Sequence, residues 1–422
     1  MIATIAATWA LLLGMALMMI GNGLQGSLVG LRASLEGFST TTTGLVMSGY
    51  FVGFMLGSYL TPKALRRVGH VRVFAALAAL GSIAALVHAV FVEPVSWTLM
   101  RILTGMCYAG LFIVAESWLN ERATNETRGQ LLSVYVVISL GGMGVGQLLL
   151  NLAPIGGFEL FILASGLLSV AVVPILLSAG AAPAFTASGR LGLRQLYAIS
   201  PLGVIGTMGT GLGNSMLVGM GAVYGDRAGL SAVQISLFMG VMFLGGVLLQ
   251  WPIGRASDRF DRRLVITFVT FLASIAALGA IIVTGRSEMG LFIFIALLGG
   301  SSLPLYSLCI AHANDHLEPS QMVAASASLV LVMGIGASLG PLIAGAMMSA
   351  VGPNGYFWCL AAVHGAIGVF ALYRMARRSA VPLDDQTTLV PITSQASPVA
   401  TSVAPRAIRD AMDADLARMS RH

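Results

Sequence analysis

Gln250-Trp-Pro-Ile-Gly-Arg-Ala-Ser-Asp-Arg-Phe-Asp-Arg-Arg263 decides the reading of this chain. Arg255, Asp258, Arg259, Asp261, Arg262 and Arg263 crowd its second half, and a long apolar run lies on either side. A short, mostly basic loop between two membrane-length segments reads as a hairpin kept on the cytoplasmic side, because positive charge on short loops is retained inside. A weaker copy, Gly57-Ser-Tyr-Leu-Thr-Pro-Lys-Ala-Leu-Arg-Arg-Val-Gly69, stands 197 residues earlier. Two related hairpins half a chain apart predict two related halves.

Composition agrees. The 422 residues are 57% hydrophobic and 9% charged, with mean hydropathy +0.88. Soluble proteins carry about 25% charged residues, so this is an integral membrane protein. The net charge of +6 does not imply a nucleic-acid partner, since the arginines fall in alternate loops and encode orientation. Cys107, Cys309 and Cys359 all lie in apolar runs without CxxC spacing, which reads as structural thiols rather than metal or redox chemistry. The N-terminus is apolar without a basic leader, and is expected to be a retained first helix.

Apolar runs of about 20 residues each predict twelve spans, six near 5–31, 41–61, 72–92, 96–118, 129–150 and 158–179, and six near 200–224, 232–252, 264–284, 290–312, 322–350 and 355–375. With the N-terminus inside, inner loops and tail hold 19 of the 23 basic residues, among them Lys63, Arg122, Arg128, Arg190 and Arg194. Arg32, Arg227 and Arg286 lie outside and Arg101 within a span. That bias places both termini in the cytoplasm. The expected organisation is a bundle over 1–179, a cytoplasmic linker over 180–199, a second bundle over 200–378 and a tail over 379–422. The tail is rich in Thr, Ser and Pro and is expected to be mostly disordered. Near its end Ile408, Met412, Leu416 and Met419 keep helical spacing; this reads as a short surface helix or as solvated chain.

The halves repeat beyond the hairpins. Gly21-Asn22 matches Gly213-Asn214, Gly142 and Gly146 match Gly336 and Gly340, and Ala115-Glu116 matches Ala311-His312, all at offsets near 195. Parallel six-span repeats predict two bundles with a site between them at mid-depth.

Over residues 1–378 this pattern resembles the major facilitator superfamily. Gly254-x-x-x-Asp258-Arg259-x-Asp261-Arg262-Arg263 is similar to that family's signature loop. Arg101-x-x-x-Gly105, the Glu121–Arg128 charge pair and Gly336–Gly345 with Pro341 resemble further motifs. Glu116-Ser-Trp-Leu-Asn120 and Pro304–His312 resemble its YcaD-like bacterial branch. Thr61 stands where the first hairpin should carry an acid. Gly141–Gly146 lacks the proline that the family links to antiport when it lies in the fifth span.

Ionisable or amide groups inside lipid-spanning helices are expensive and so mark function by default. Arg101 and Tyr108 share a stripe in the fourth span, and Arg101 reads as an anion contact or as a snorkelling structural arginine. Asn22 and Gln25 in the first span, Asn214 in the seventh and Tyr306 in the tenth are expected substrate contacts; amides that only bond neighbouring helices are the alternative. Glu116 and His312, as repeat mates, are expected to face each other as a protonation-linked gate, or to cap two helix ends. Asp258, Arg259, Glu121 and Arg128 are expected gate residues, with topology alone as the alternative. His88 and His364 are expected to be structural.

The resulting expectation is an all-α membrane protein of twelve helices in two pseudo-symmetric bundles. It is expected to be a monomer in a bacterial inner membrane, moving a small organic solute by alternating access with proton coupling. The chain shows no Gly-x-Ser-x-Gly, phosphate-cradling loop or His-Glu-x-x-His, so no enzyme activity, cofactor or metal is expected. The alternatives are a non-transporting sensor or partner protein and a lipid or amphiphile flippase.

Overall fold

A computed structural model describes residues 2–122, 128–177, 191–318 and 320–395. Arg190 and the stretch holding Ile408 and Met419 lie outside them, as does the Arg128 side chain. The first half comprises α1 (Ile2–Leu35), α2 (Thr40–Val68), α3 (His70–Val90), α4 (Pro94–Arg122), α5 (Arg128–Leu148) and α6 (Glu159–Leu177). A short helix, Leu193–Ile199, leads into the second half. There follow α7 (Pro201–Arg227), α8 (Ala232–Ser257), α9 (Arg262–Val283), α10 (Glu288–Ser302 continued by Leu305–Asn314), α11 (Met322–Val351) and α12 (Gly355–Arg377).

The repeat is visible in the packing. In the first half α1 packs on α5 and α6, α2 on α4, and α3 on α4 and α6. In the second, α7 packs on α11 and α12, α8 on α10, and α9 on α10 and α12. Between halves α2 packs on α11 and α5 on α8, and exchanging the halves turns each pair into the other. Large apolar side chains on the outer helices remain exposed, among them Ile83, Val170, Phe268 and Val369. These faces meet hydrocarbon, where exposure costs nothing.

Among the described residues eleven spans are long and apolar enough to cross a membrane. The twelfth, α7, has 27 residues but mixes Thr207, Thr210, Asn214 and Ser215 with its glycines, and is buried over most of its length. A helix surrounded by helices needs no lipid-facing apolar surface. Pro304 lacks an N–H to extend the ladder, and α10 is interrupted there, just before Tyr306 and Ser307.

The two hairpins are built differently. Gly69 turns the first with φ +82°, a backbone that glycine adopts without strain. The second has no glycine turn: Asp261 caps α9 by accepting from Arg263 N at 3.0 Å. We call this side of the molecule the hairpin face. On the opposite face the bundles touch closely. A Cβ on Gly44 of α2 would lie 2.4 Å from Pro341 O of α11. Thr40 Oγ1 donates to Gly345 O at 2.9 Å, and Asn151 Nδ2 donates to Ser236 Oγ at 2.8 Å.

Candidate functional site

A cavity of about 280 Å³ lies between α2, α7 and α11. Phe51, Phe54, Met55 and Leu331 make much of its wall, and Tyr50 and Asn214 supply polar groups. Arg101 of α4 is 3% exposed. Its guanidinium carbon stands 4.7 Å from the centroid of the Tyr50 ring, and the Tyr50 ring lies 6.3 Å from that of Tyr108. Arg101 Nε and Nη1 have no hydrogen-bond partner among the described residues. A cation on an aromatic face is attracted by the ring quadrupole, but a ring does not replace the hydrogen bonds of two N–H groups.

The amides gather from both halves. Asn22 Nδ2 donates to Gln395 Oε1 at 3.2 Å. Gln25 is buried with Nε2 unpaired. Asn214 Oδ1 accepts from Ser302 Oγ at 2.7 Å, and Ser302 Oγ also lies 2.8 Å from His364 Nε2. His364 is therefore coupled to a cavity amide, more than the isolated structural residue its peripheral span suggested. His88 sits as expected of a structural group, with Nδ1 2.6 Å from Ala84 O and its ring stacked on Phe161. The Tyr306 hydroxyl is buried with no hydrogen-bond partner among the described residues.

Glu116 is buried and accepts from the Tyr135 hydroxyl at 2.5 Å. Glu116 and His312, the expected gate pair, form no hydrogen bond or ion pair with each other among the described residues. The His312 ring packs on His316, with centroids 4.8 Å apart, and its carbonyl accepts from His316 Nδ1 at 2.9 Å. The charged groups around it are Asp261, Arg262 and Arg263. The physical reason is symmetry: repeat mates occupy equivalent places on either side of the pseudo-axis and need not meet across it.

The hairpin residues assemble around Arg262, which is 1% exposed. Its Nη1 pairs with Asp315 Oδ2 at 2.5 Å, Nε donates to Ser257 Oγ at 2.8 Å, and Nη2 donates to Thr387 O at 2.5 Å. Asp258 lies 3.9 Å from Arg262 and accepts from Leu389 N at 2.8 Å. Burial pushes the Asp258 carboxyl above its usual range, against the Leu389 N–H and Arg262, which pull it down. His316 is pushed down, first by burial. Arg259 is exposed and forms no ion pair among the described residues, and Glu121 is exposed. Thr61 is buried in α2 beside Gly110, so the first hairpin has no counterpart of Asp258.

Sequence reasoning missed Asp315, Tyr50, Tyr135 and Ser307. Asp315 alone carried a signal. An acid at the C-terminal end of a helix opposes the helix dipole and calls for a cation, which is Arg262. The larger surprise is the tail. Within this tail, expected to be disordered, residues 387–395 pack against the bundles. Leu389 and Ile392 are 7% and 3% exposed, and Ile392 O accepts from Ser307 Oγ at 2.9 Å. Gly336 and Gly340 of the glycine-proline motif let α11 approach α7: a Cβ there would lie 2.1 Å from Met208 O and 2.0 Å from Ser215 Oγ.

Known proteins carry the same signals. The family model "Major Facilitator Superfamily" matches residues 203–409, and "Sugar (and other) transporter" matches 6–190. The MFS-type transporter YcaD of Escherichia coli O7:K1 (strain IAI39 / ExPEC) is 30% identical over 359 residues, 84% of this chain and 92% of that protein. This chain belongs to the major facilitator superfamily. An MFS-type transporter of Enterobacter sp. (strain 638) is 29% identical, covering 88% of this chain and 97% of that protein. Among solved structures the nucleoside transporter NupG aligns with TM-score 0.71 at 14% identity, over 88% of this chain and 98% of that one. A bacterial homolog to the human lysosomal transporter Spinster, inward-facing and unoccupied, aligns with TM-score 0.66 at 13% identity, over 96% and 98%. At these identities the likeness shows the fold alone. Tyr50 of the first half and Asn214 of the second line the same cavity, and Arg101 stands behind Tyr50 within the first bundle.

Proposed function

We propose that this chain is a secondary transporter for an amphiphilic organic solute bearing a negatively charged group. It moves that solute by alternating access, with the hairpin face in the cytoplasm of a bacterial cell. The observation that carries the reading is Arg101, buried on the Tyr50 ring with Nε and Nη1 unpaired. An arginine taken out of water without a carboxylate partner costs several kcal/mol, and an arriving anion recovers that cost through a charge-assisted, two-pronged contact. Asn22, Gln25 and Asn214 offer amides to the polar remainder of the solute. Phe51, Phe54, Met55 and Leu331 suit its apolar part; a richly hydroxylated solute has too few partners here. The close contact of the bundles on the opposite face supports a state open, or openable, towards the hairpin face.

Glu116 is the proton carrier in this reading. It is a buried acid that accepts from the Tyr135 hydroxyl of the next helix, so its charge state is coupled to the hydrogen bond that ties α4 to α5. The test is a thermal-shift screen of purified protein with matched anionic, neutral and cationic amphiphiles. Stabilisation by anionic members alone, lost in Arg101→Met, is expected. Equal stabilisation by the neutral members overturns the anionic assignment.

A further inference from the structure

On the hairpin face the gap between the bundles is filled by the chain itself. From Thr387 to Gln395 the segment runs inward, held through main-chain groups at Thr387, Leu389 and Ile392 and through the side chains of Thr387, whose hydroxyl donates to Asp315 Oδ1 at 2.8 Å, and Gln395. Thr387 N donates to Asp315 Oδ1 at 2.9 Å while Thr387 O accepts from Arg262 Nη2. Leu389 N donates to Asp258 Oδ1. Ile392 N donates to Ser307 Oγ at 2.9 Å, and the same hydroxyl donates back to Ile392 O. Fixed side chains that bind successive main-chain groups of an extended segment, with pockets for alternate apolar side chains, are the means by which clefts hold peptides. Here Leu389 and Ile392, three positions apart, are the buried apolar side chains.

The path of the segment has a functional consequence. Leu389 and Pro391 help to wall a cleft of about 450 Å³ between α5 and α8. Ser394 and Gln395 form part of the wall of the central cavity, and the Gln395 carboxamide occupies Asn22. The group expected to meet solute is thus engaged by the tail. Asp258 and Arg262, the charges of the signature hairpin, are engaged by it as well.

We propose that the hairpin-face vestibule is a binding site for an extended peptide, filled in cis by Thr387–Gln395, and that this segment is a plug. It competes with solute for the central cavity and withdraws before the cavity opens to that face. The occupant is tethered ten residues from the end of α12 at Arg377, so its binding is intramolecular and favoured by a high effective concentration. The plug goes beyond the transport reading and needs no knowledge of the solute.

The test is cysteine accessibility in purified protein, with Ala327→Cys on the cavity wall as the reporter and a bulky hydrophilic maleimide as the probe. The three native cysteines are buried and report on folding, since they react only if the bundles open up. Slow labelling of the reporter is expected in the full chain. Labelling faster by about tenfold or more, the factor that 1.4 kcal/mol of lost docking produces, is expected in Ile392→Asp and in a chain ending at Arg378. The native cysteines stay protected in both. Adding the synthetic peptide Thr387–Gln395 to the shortened chain restores protection. Reporter labelling equally fast with the tail intact, disrupted or removed overturns the plug. If a variant exposes the native cysteines, peptide protection of the full chain carrying Leu389→Asp decides: protection regained supports the plug, and no protection overturns it.

Discussion

Arg101→Met is expected to make this protein more stable and less functional at once. Methionine keeps the length and apolar bulk of the arginine stem and its contact with the Tyr50 ring, but removes the charge. Burying an unpaired charge costs several kcal/mol after relaxation, and replacing buried charges with well-packed apolar groups has stabilised proteins by about 1–4 kcal/mol. The cation–ring contact at 4.7 Å offsets part of that cost, by about 2 kcal/mol when desolvated. The expected net gain is therefore up to about 2 kcal/mol. In a chain of this length that is a rise of up to about 2 °C in melting midpoint. The five tryptophans provide the assay, as intrinsic fluorescence against temperature in detergent. In the same melts anionic amphiphiles are expected to stabilise the unaltered chain and leave Arg101→Met unmoved. A midpoint lowered by the substitution would refute the reasoning, because it would mean that the charge already has its partners in the empty protein.

Other outcomes follow from the same geometry. Asp315→Ala leaves Arg262 buried without its carboxylate and is expected to cost about 3–5 kcal/mol, read by thermal melting, with Arg262→Ala no more harmful when combined with it than alone. Gly44→Leu forces a side chain into Pro341 O, where a Cβ alone would lie 2.4 Å away. It is expected to pry α2 from α11 at a cost of about 1–3 kcal/mol, and to raise cysteine labelling at Thr40→Cys on the opposite face. Glu116→Gln is expected to flatten the pH dependence of transport while leaving anion-induced stabilisation intact; an unchanged pH profile removes Glu116 from proton coupling. Burial raises the Asp261 carboxyl, but the Arg263 hydrogen bonds and charge outweigh it, so the folded value lies below the ordinary 3.8. Its contribution to stability is therefore present above that ordinary value and lost as pH falls through the lower, folded one. Asp261→Asn is expected to weaken that acid limb of the stability profile, measured by melting below neutral pH.

The spans and the repeat were legible because lipid demands long apolar segments and because duplicated helices keep glycines where backbones cross, as at Gly336 and Gly340. Arg101 was legible for the opposite reason, as a charge where lipid forbids one. The tail was not. Its Thr, Ser and Pro content reads as solvated chain, and much of what docks it is backbone: the N–H groups of Thr387, Leu389 and Ile392 look the same in any sequence. The Glu116–His312 pairing rested on sequence offset, which measures equivalence under the pseudo-axis and not distance across it. Arg262 stands in the sequence as one basic residue among several in the hairpin, and its depth follows from Asp315, an acid misplaced at a helix C-terminus.

Flux through reconstituted protein tests the central claim most directly. Proteoliposomes holding the unaltered chain, Arg101→Met or no protein would be given radiolabelled aryl and alkyl sulfonates, whose fixed charge keeps them from crossing lipid unaided, beside neutral sulfones of matched shape. The account predicts protein-dependent flux of at least some sulfonates, reduced about tenfold or more in Arg101→Met, the equivalent of one lost charge-assisted contact, with no comparable flux of the sulfones. Sulfonate flux that is the same with and without the Arg101 charge, or that the neutral sulfones match, would contradict it.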